Sequence, residues 1–301
     1  MKGNPLGQPL ILTPQSLKEY PLPDIAAGGD KEDRGHILVV AGCREIPGAA
    51  MLAATAALRA GAGKLTIATA ASVAAAIAIA VPESRTIALA ESKDGAIAAL
   101  SNDGVEALSS LRGKVDAILV GPGMQNEAAC CAIARCMSAL FPDVPLILDA
   151  YAMSCVRERS LGGVPIVTPH AGEMAHLTGM TKETVLTDPV TAALMAASRW
   201  NAIVILKGAK TVIATPNGEC WLHAAENSGL ATSGSGDVLA GILGGLAARQ
   251  LPLPSAALWG VLLHAQAGAR LSFRRGSLGY LARDISAEIP DVLCSLDNES
   301  S

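Results

Sequence analysis

The segment Asn227-Ser-Gly-Leu-Ala-Thr-Ser-Gly-Ser-Gly-Asp-Val-Leu-Ala-Gly241 carries the residues best suited to chemistry. Small residues run from Thr232 to Gly236, and a single carboxylate, Asp237, then opens an apolar run. Unpaired N–H groups at a helix start attract anions, because they are free donors at the positive end of the helix dipole. Glycine lets a phosphate approach the backbone closely. A carboxylate beside a phosphoryl group repels it, so its use there is to take a proton from an attacking hydroxyl. The segment therefore fits transfer of phosphate from a nucleotide to an alcohol. It also fits a Gly/Ser turn in which Asp237 is an ordinary first-turn acid.

Such a loop needs a rigid frame, and the chain supplies strand and helix signals in alternation. Short continuous apolar runs of the buried-strand kind cover His36–Ala41, Lys64–Ala68, Val115–Val120, Pro145–Asp149, Val164–Thr168 and Ala202–Leu206. Gly48 to Gly61 predicts a helix stopped by glycines, and the Ala-rich run Ile67 to Val81, ending at Pro82, predicts a buried helix. Thr211–Ala214 followed by Pro216-Asn-Gly218 predicts a hairpin, and from Asp237 onward the chain predicts helices. This is an α/β pattern with a largely parallel sheet. In such folds ligands sit beyond the carboxyl ends of the strands. Gly42, Gly121 to Gly123, Asp149, His170 and Lys207 all fall there, and their convergence favours an active site over scattered turns. One domain is expected over 11–295, with flexible ends at 1–10 and 296–301.

Composition narrows the function classes. A net charge of −4 over 301 residues, with 3% aromatics and no basic stripe, argues against nucleic acid as a partner. The seven cysteines are an odd number in a long chain and none forms C-x-x-C, which argues against a disulfide framework or zinc site and for a reducing cytoplasm. Cys130 and Cys131 are expected to pack on a helix. The start of the chain has no signal-peptide pattern, and no apolar run reaches the roughly 18 residues of a membrane span.

Taken together, the motifs resemble the ADP/ATP-dependent NAD(P)H-hydrate dehydratases, a branch of the ribokinase-like superfamily. The matching segments, spread over roughly Ile11 to Pro290, are Lys31-Glu-Asp-Arg-Gly35 with His36-Ile-Leu-Val-Val, Pro47-Gly-Ala-Ala50, Ala56-Ala-Leu-Arg-Ala-Gly-Ala-Gly63 and Pro82-Glu83, then Gly121-Pro-Gly123, Leu148-Asp-Ala150, Thr168-Pro-His-Ala-Gly-Glu173, Lys207-Gly-Ala-Lys-Thr211 and Ser233-Gly-Ser-Gly-Asp-Val-Leu-Ala-Gly241. Each is weak alone; their order and joint presence are specific. The resemblance implies a ribokinase-like three-layer fold, a largely parallel central sheet flanked by helices. It also implies a repair reaction on NADHX or NADPHX, the hydrated reduced nicotinamide cofactors. A nucleotide, ADP or ATP with Mg²⁺, phosphorylates the added hydroxyl of the S epimer; phosphate leaves and NAD(P)H returns, ADP giving AMP and phosphate.

By the same resemblance, Asp237 is the catalytic base, and Ser233, Gly234, Ser235 and Gly236 form the anion hole. Ala49, Gly123, His170 and Asp237 contact the hydrated cofactor. Lys207, Gly208, Ala209, Lys210 and Thr211, with Gly236, bind the nucleotide. Glu173 sits where related kinases organise magnesium, and is expected to act through water. Three departures stand out: the usual Asp-Ala-Asp is Asp149-Ala-Tyr151, the usual Gly-Gly-Thr-Gly-Asp is Ser233-Gly-Ser-Gly-Asp237, and the usual Asn-Pro-Gly is Asn227-Ser-Gly229. The resemblance also implies a homotetramer. Many bacterial relatives carry an N-terminal epimerase domain, so an epimerase encoded elsewhere is expected as a functional partner. The competing expectations are a superfamily kinase acting on a thiazole or pyrimidine alcohol, and a nucleotide-binding regulator without catalysis. His36, His176, His223 and His264 are expected to be structural, Arg59 to pack or pair, and Trp200, Trp221 and Trp259 to lie in the core or an interface.

Overall fold

The computed structural model describes residues 8–23, 30–158, 161–224 and 227–300. Its strands are β1 Leu10–Ile11, β2 His36–Val40, β3 Lys64–Ala70, β4 Ser84–Leu89, β5 Ala117–Val120, β6 Leu146–Leu148, β7 Ile166–Val167, β8 Ile203–Leu206, β9 Lys210–Ala214 and β10 Cys220–Ala224. Its α-helices are α1 Pro47–Arg59, α2 Ala71–Ala80, α3 Asn102–Ser109, α4 Glu127–Leu140, α5 Ala171–Thr178, α6 Lys182–Thr187, α7 Pro189–Trp200, α8 Ser235–Ala248, α9 Leu253–Arg275 and α10 Ala282–Ser300.

The ten strands form one sheet in the order β1-β10-β9-β8-β7-β6-β5-β2-β3-β4. Only β9 runs antiparallel to its neighbours; every other pairing among the described strands is parallel. The strand residues explain the three layers. Ile37, Val39, Leu119, Ile147, Ile166, Ile203 and Ile205 join a core with α1, α8, α9 and α10. Their neighbours Leu38, Val40, Ile118, Val120, Leu148, Val167 and Val204 join a second core with α4, α5 and α7 on the other face. Strands buried on both faces carry unbroken apolar runs, which is why these segments lack polar alternation. Trp200, Trp221 and Trp259 are all buried within these cores, as are Cys130 and Cys131 on α4.

Three expectations are corrected. The run Ile67 to Val81 is not one buried helix: β3 continues to Ala70 and α2 begins at Ala71, with Ile79 82% exposed. A uniformly apolar run has no period to mark that switch. At the first end Leu10 is not loose but pairs with Trp221 of β10, as Ile11 does with Leu222; residues 1–7 lie outside the described residues. At the last end α10 continues to Ser300 and Leu296 is buried against the first core; Ser301 lies outside the described residues. β4 was missing from the sequence reading because its Ser84, Arg85 and Thr86 dilute the apolar signal of an edge strand.

A close contact between α1 and α8 positions the loop of interest. A Cβ on Gly241 of α8 would lie 2.1 Å from the Ala53 carbonyl oxygen of α1, and one on Gly245 2.3 Å from that of Ala57. The Ala-rich face of α1 and the glycines of α8 therefore let two backbones touch. Gly241→Ala must push them apart, at a cost of about 1–3 kcal/mol from overpacking, which outweighs the helix propensity gained. We expect a melting temperature lower by several degrees, at ~2–4 °C per kcal/mol; an unchanged thermal melt would show that the contact has slack.

Candidate active site

Because β2, β5, β6, β7 and β8 are adjacent and parallel, their carboxyl ends line one rim. Gly42 follows β2 and donates its N–H to the Pro122 carbonyl at 2.8 Å. Asp149 follows β6, Thr168 to His170 follow β7, and Lys207 follows β8, donating its N–H to the Pro169 carbonyl at 2.8 Å. The rim is thus stitched by backbone hydrogen bonds between neighbouring loops.

Facing this rim is the start of α8. Gly234 caps it in the left-handed conformation, φ 87°, which glycine adopts without a Cβ penalty. A side chain there would also meet Leu52 Cδ1 at 2.5 Å. Asp237 is in the first helical turn and partly buried. Burial, and then the charge of Asp149, push its pKa up to about 7, with Lys207 opposing.

Lys207 joins the two halves. Its ammonium lies 3.5 Å from Asp149 Oδ1 and 4.0 Å from Glu173 Oε2, and 3.3 Å from where a Cβ on Gly236 would sit. Asp149 is buried and accepts a hydrogen bond from the Thr168 hydroxyl at 2.6 Å. One cation, two carboxylates and the N–H groups of a helix start therefore meet in one place, with Asp237 as the acid whose proton affinity is tuned to neutrality.

The other candidates fall into groups. His170 caps α5: its Nδ1 accepts from the N–H groups of Gly172 and Glu173 at 3.0 and 3.1 Å. Glu173 closes the box by accepting the His170 N–H at 2.8 Å. The His170 side chain is 59% exposed at the rim, with its Nε2 3.6 Å from Glu173 Oε2. Ala49 is buried at the start of α1, and a Cβ on Gly123 would lie 2.5 Å from its Cβ, so the two share one wall. Gly208 and Ala209 are exposed in the β8–β9 turn and Lys210 at the start of β9, and the Thr211 hydroxyl donates to the Gly208 carbonyl at 3.4 Å; Lys207 alone of this segment reaches the carboxylates. In the glycine loop Ser233 is exposed and Ser235 is buried.

Two participants were not singled out by sequence. Thr168 orients Asp149. His264, expected to be structural, places its Nε2 3.0 Å from the Ser235 hydroxyl; a histidine in the long apolar helix α9 carries no signal of its target. Arg59, at the end of α1, and His36, bonded to Thr66, lie away from this rim.

Among the described residues no three or more His, Cys, Asp or Glu side chains cluster to hold a metal ion. Glu173 has one oxygen engaged by the His170 N–H, and Asp149, the other carboxylate beside Lys207, is buried and bonded to Thr168. That suits Mg²⁺ held chiefly by phosphate and water, with one protein carboxylate in support.

A model of the NAD(P)H-hydrate dehydratase family matches residues 37–291. The chain belongs to that family. It is 46% identical to the ADP-dependent (S)-NAD(P)H-hydrate dehydratase of Xanthomonas campestris pv. campestris, over 94% of this chain and 95% of that one. It is 38% identical to the bifunctional NAD(P)H-hydrate repair enzyme Nnr of Moorella thermoacetica, over 92% of this chain but 53% of that one, so it spans about half of that relative. A crystal structure of the Bacillus subtilis ADP/ATP-dependent NAD(P)H-hydrate dehydratase, co-crystallised with ATP/Mg²⁺, superposes with a TM-score of 0.82 at 30% identity, covering 95% of this chain and 98% of that one. The three layers are the ribokinase-like fold of this family.

Within this family site, Asp149→Asn gives a directional test. It removes the charge that helps raise the Asp237 pKa and keeps most of the side chain's shape. The acid limb of the activity profile should move below about pH 7; a limb that stays in place would show that burial alone sets it.

Proposed function

We propose that this chain is an ADP-dependent (S)-NAD(P)H-hydrate dehydratase, returning NADHX or NADPHX to NADH or NADPH while ADP gives AMP and phosphate. The observation that carries the reading is Asp237: a carboxylate near neutrality in its proton affinity, in the first turn of a glycine-capped helix, facing Lys207. The hydrated ring offers a hydroxyl but hydroxide leaves poorly. Asp237 takes the hydroxyl proton as the oxygen attacks the terminal phosphoryl group of the nucleotide. The N–H groups of Gly234, Gly236 and Asp237 and the Lys207 ammonium stabilise the charge that builds on that group, while the Ser235 N–H is held by the Thr232 carbonyl at 3.2 Å. The C–O bond to phosphate then breaks, the neighbouring ring carbon gives up a proton to water, and the electron pair of that C–H bond re-forms the ring double bond.

Ala49, Gly123 and His170 would form the wall for the hydrated cofactor, and Lys207 to Thr211 with Gly236 the nucleotide side. Mg²⁺, held by the nucleotide phosphates with Glu173 in support, would neutralise phosphate charge. We extend the proposal to one domain, a homotetramer, a cytoplasmic setting and an epimerase as functional partner. The seven cysteines are all free thiols, and among the described residues no helix is long and apolar enough to cross a membrane.

The test is recovery of reduced-nicotinamide absorbance from purified hydrated NADH and NADPH with Mg²⁺ and ADP, ATP or no nucleotide. Recovery with ADP but not without nucleotide is expected. A stable phosphorylated product without absorbance would point to an alcohol kinase instead.

A further inference from the structure

His264 of α9 brings Nε2 within 3.0 Å of the Ser235 Oγ and 3.1 Å of the Ser235 carbonyl oxygen. A carbonyl oxygen only accepts, so Nε2 must carry the ring hydrogen. That hydrogen is shared with Oγ, which therefore also accepts. The Ser235 O–H hydrogen is then left to point elsewhere. The ring holds this arrangement without a charge: burial, helped by Lys207 and opposed by the Ser235 carbonyl, pulls its pKa down to about 4.

Ser235 is the first residue of α8, and Gly236 and Asp237 follow it. A clamp on both its hydroxyl and its carbonyl fixes the direction of the first helical turn. α9 is well placed to hold that clamp, since a Cβ on its Gly260 would meet Leu243 of α8 at 2.5 Å. The two helices are in contact, and their spacing leaves little play. A space-filling histidine would not need a polar atom between two oxygens of the catalytic loop.

We propose that His264 is a positioning residue for phosphoryl transfer: its Nε2–H clamps Ser235 at the start of α8 and turns the Ser235 hydroxyl hydrogen towards the transferred phosphoryl group. The role rests on the dehydratase reading above. It adds a hydroxyl donor to the backbone N–H groups of the loop, and it reaches the chemistry only through Ser235.

The experiment uses the full chain with His264→Leu, His264→Asn, His264→Gln, Ser235→Ala and the double variant His264→Leu/Ser235→Ala. His264→Leu should lower kcat by about 10- to 100-fold, short of the ~10²–10³ for losing a direct donor. KM for the hydrate should hold, because the interaction acts in the transition state. Glutamine, whose amide N–H reaches about as far as Nε2, should restore most of the rate; asparagine, one carbon shorter, should not. The double variant should be little worse than either single one, since both remove one interaction. A folded leucine variant with wild-type kcat, or losses that multiply in the double variant, would overturn the proposal. If leucine prevents folding, equal activity of the asparagine and glutamine variants would overturn it. Should the wild-type protein restore no absorbance with any nucleotide, the dehydratase reading fails separately. Nitrogen NMR of His264 then still decides the clamp: a proton on Nε2 supports it, and one on Nδ1 alone ends it.

Discussion

Asp237→Asn should abolish most turnover, by about 10²- to 10⁴-fold, while the variant still binds ADP. Asparagine keeps the size and hydrogen-bonding reach of the side chain but cannot accept the hydroxyl proton. In the proposed site the nucleotide contacts come from backbone N–H groups and from Lys207, which this change leaves in place. Wild-type turnover in the variant would remove Asp237 from the mechanism. The pH dependence follows from the same group. Its pKa rises from the ordinary 3.8 to about 7, so wild-type kcat/KM should climb through about pH 7 as the base loses its proton.

That raised value also has a cost in stability, with a sign opposite to that of a paired carboxylate. Between about pH 3.8 and 7 the folded state holds a proton on Asp237 that the unfolded chain has lost. Stability therefore falls as pH rises through that window, and above about 7 the full penalty is present, on the order of a few kcal/mol. Asp237→Asn removes it. The variant should melt higher than wild type at pH 8 and close to it near pH 4. A carboxylate held against its solvation preference is a local instability that the two cores must outweigh.

The parts of this arrangement that were legible in sequence are those with a local signature. Parallel strands buried on both faces read as apolar runs, so the five strands that carry the rim, from β2 to β8, were visible. The Thr168-Pro-His-Ala-Gly-Glu173 segment marked His170 as a strand-end histidine, and the structure adds that His170 and Glu173 cap α5 reciprocally. Ser233 to Asp237 could be read as an anion loop because glycines and a lone acid are rare in that order. What could not be read is pairwise. Nothing near His264 in sequence points to Ser235, and nothing near Lys207 says that it meets Asp149 and Glu173. These contacts depend on strand order and helix spacing, which a one-dimensional pattern does not carry. The boundary inside Ile67 to Val81 was hidden for a different reason: alanine and isoleucine are at home in both a strand and a helix.

Lys207→Met should cost both rate and stability, and the two losses can be separated. The ammonium sits against the anion loop and between Asp149 and Glu173. Removing it takes away a cation from the site of charge development, worth about 10²- to 10³-fold in kcat by analogy with a lost transition-state donor. It also takes away the charge that holds the Asp237 pKa down, so the acid limb should move above about pH 7 and deepen the loss at neutrality. The stability cost has another origin. Asp149 is buried, and without Lys207 its carboxylate is left with the Thr168 hydroxyl; an uncompensated buried charge costs about 3–5 kcal/mol. The double variant Lys207→Met/Asp149→Asn removes that charge and should regain most of the melting temperature. It should not regain the rate, because the cation at the phosphoryl group is still missing. Recovery of both together would mean that Lys207 serves only to neutralise Asp149, and that the backbone N–H groups of α8 stabilise the transferred phosphoryl group without it.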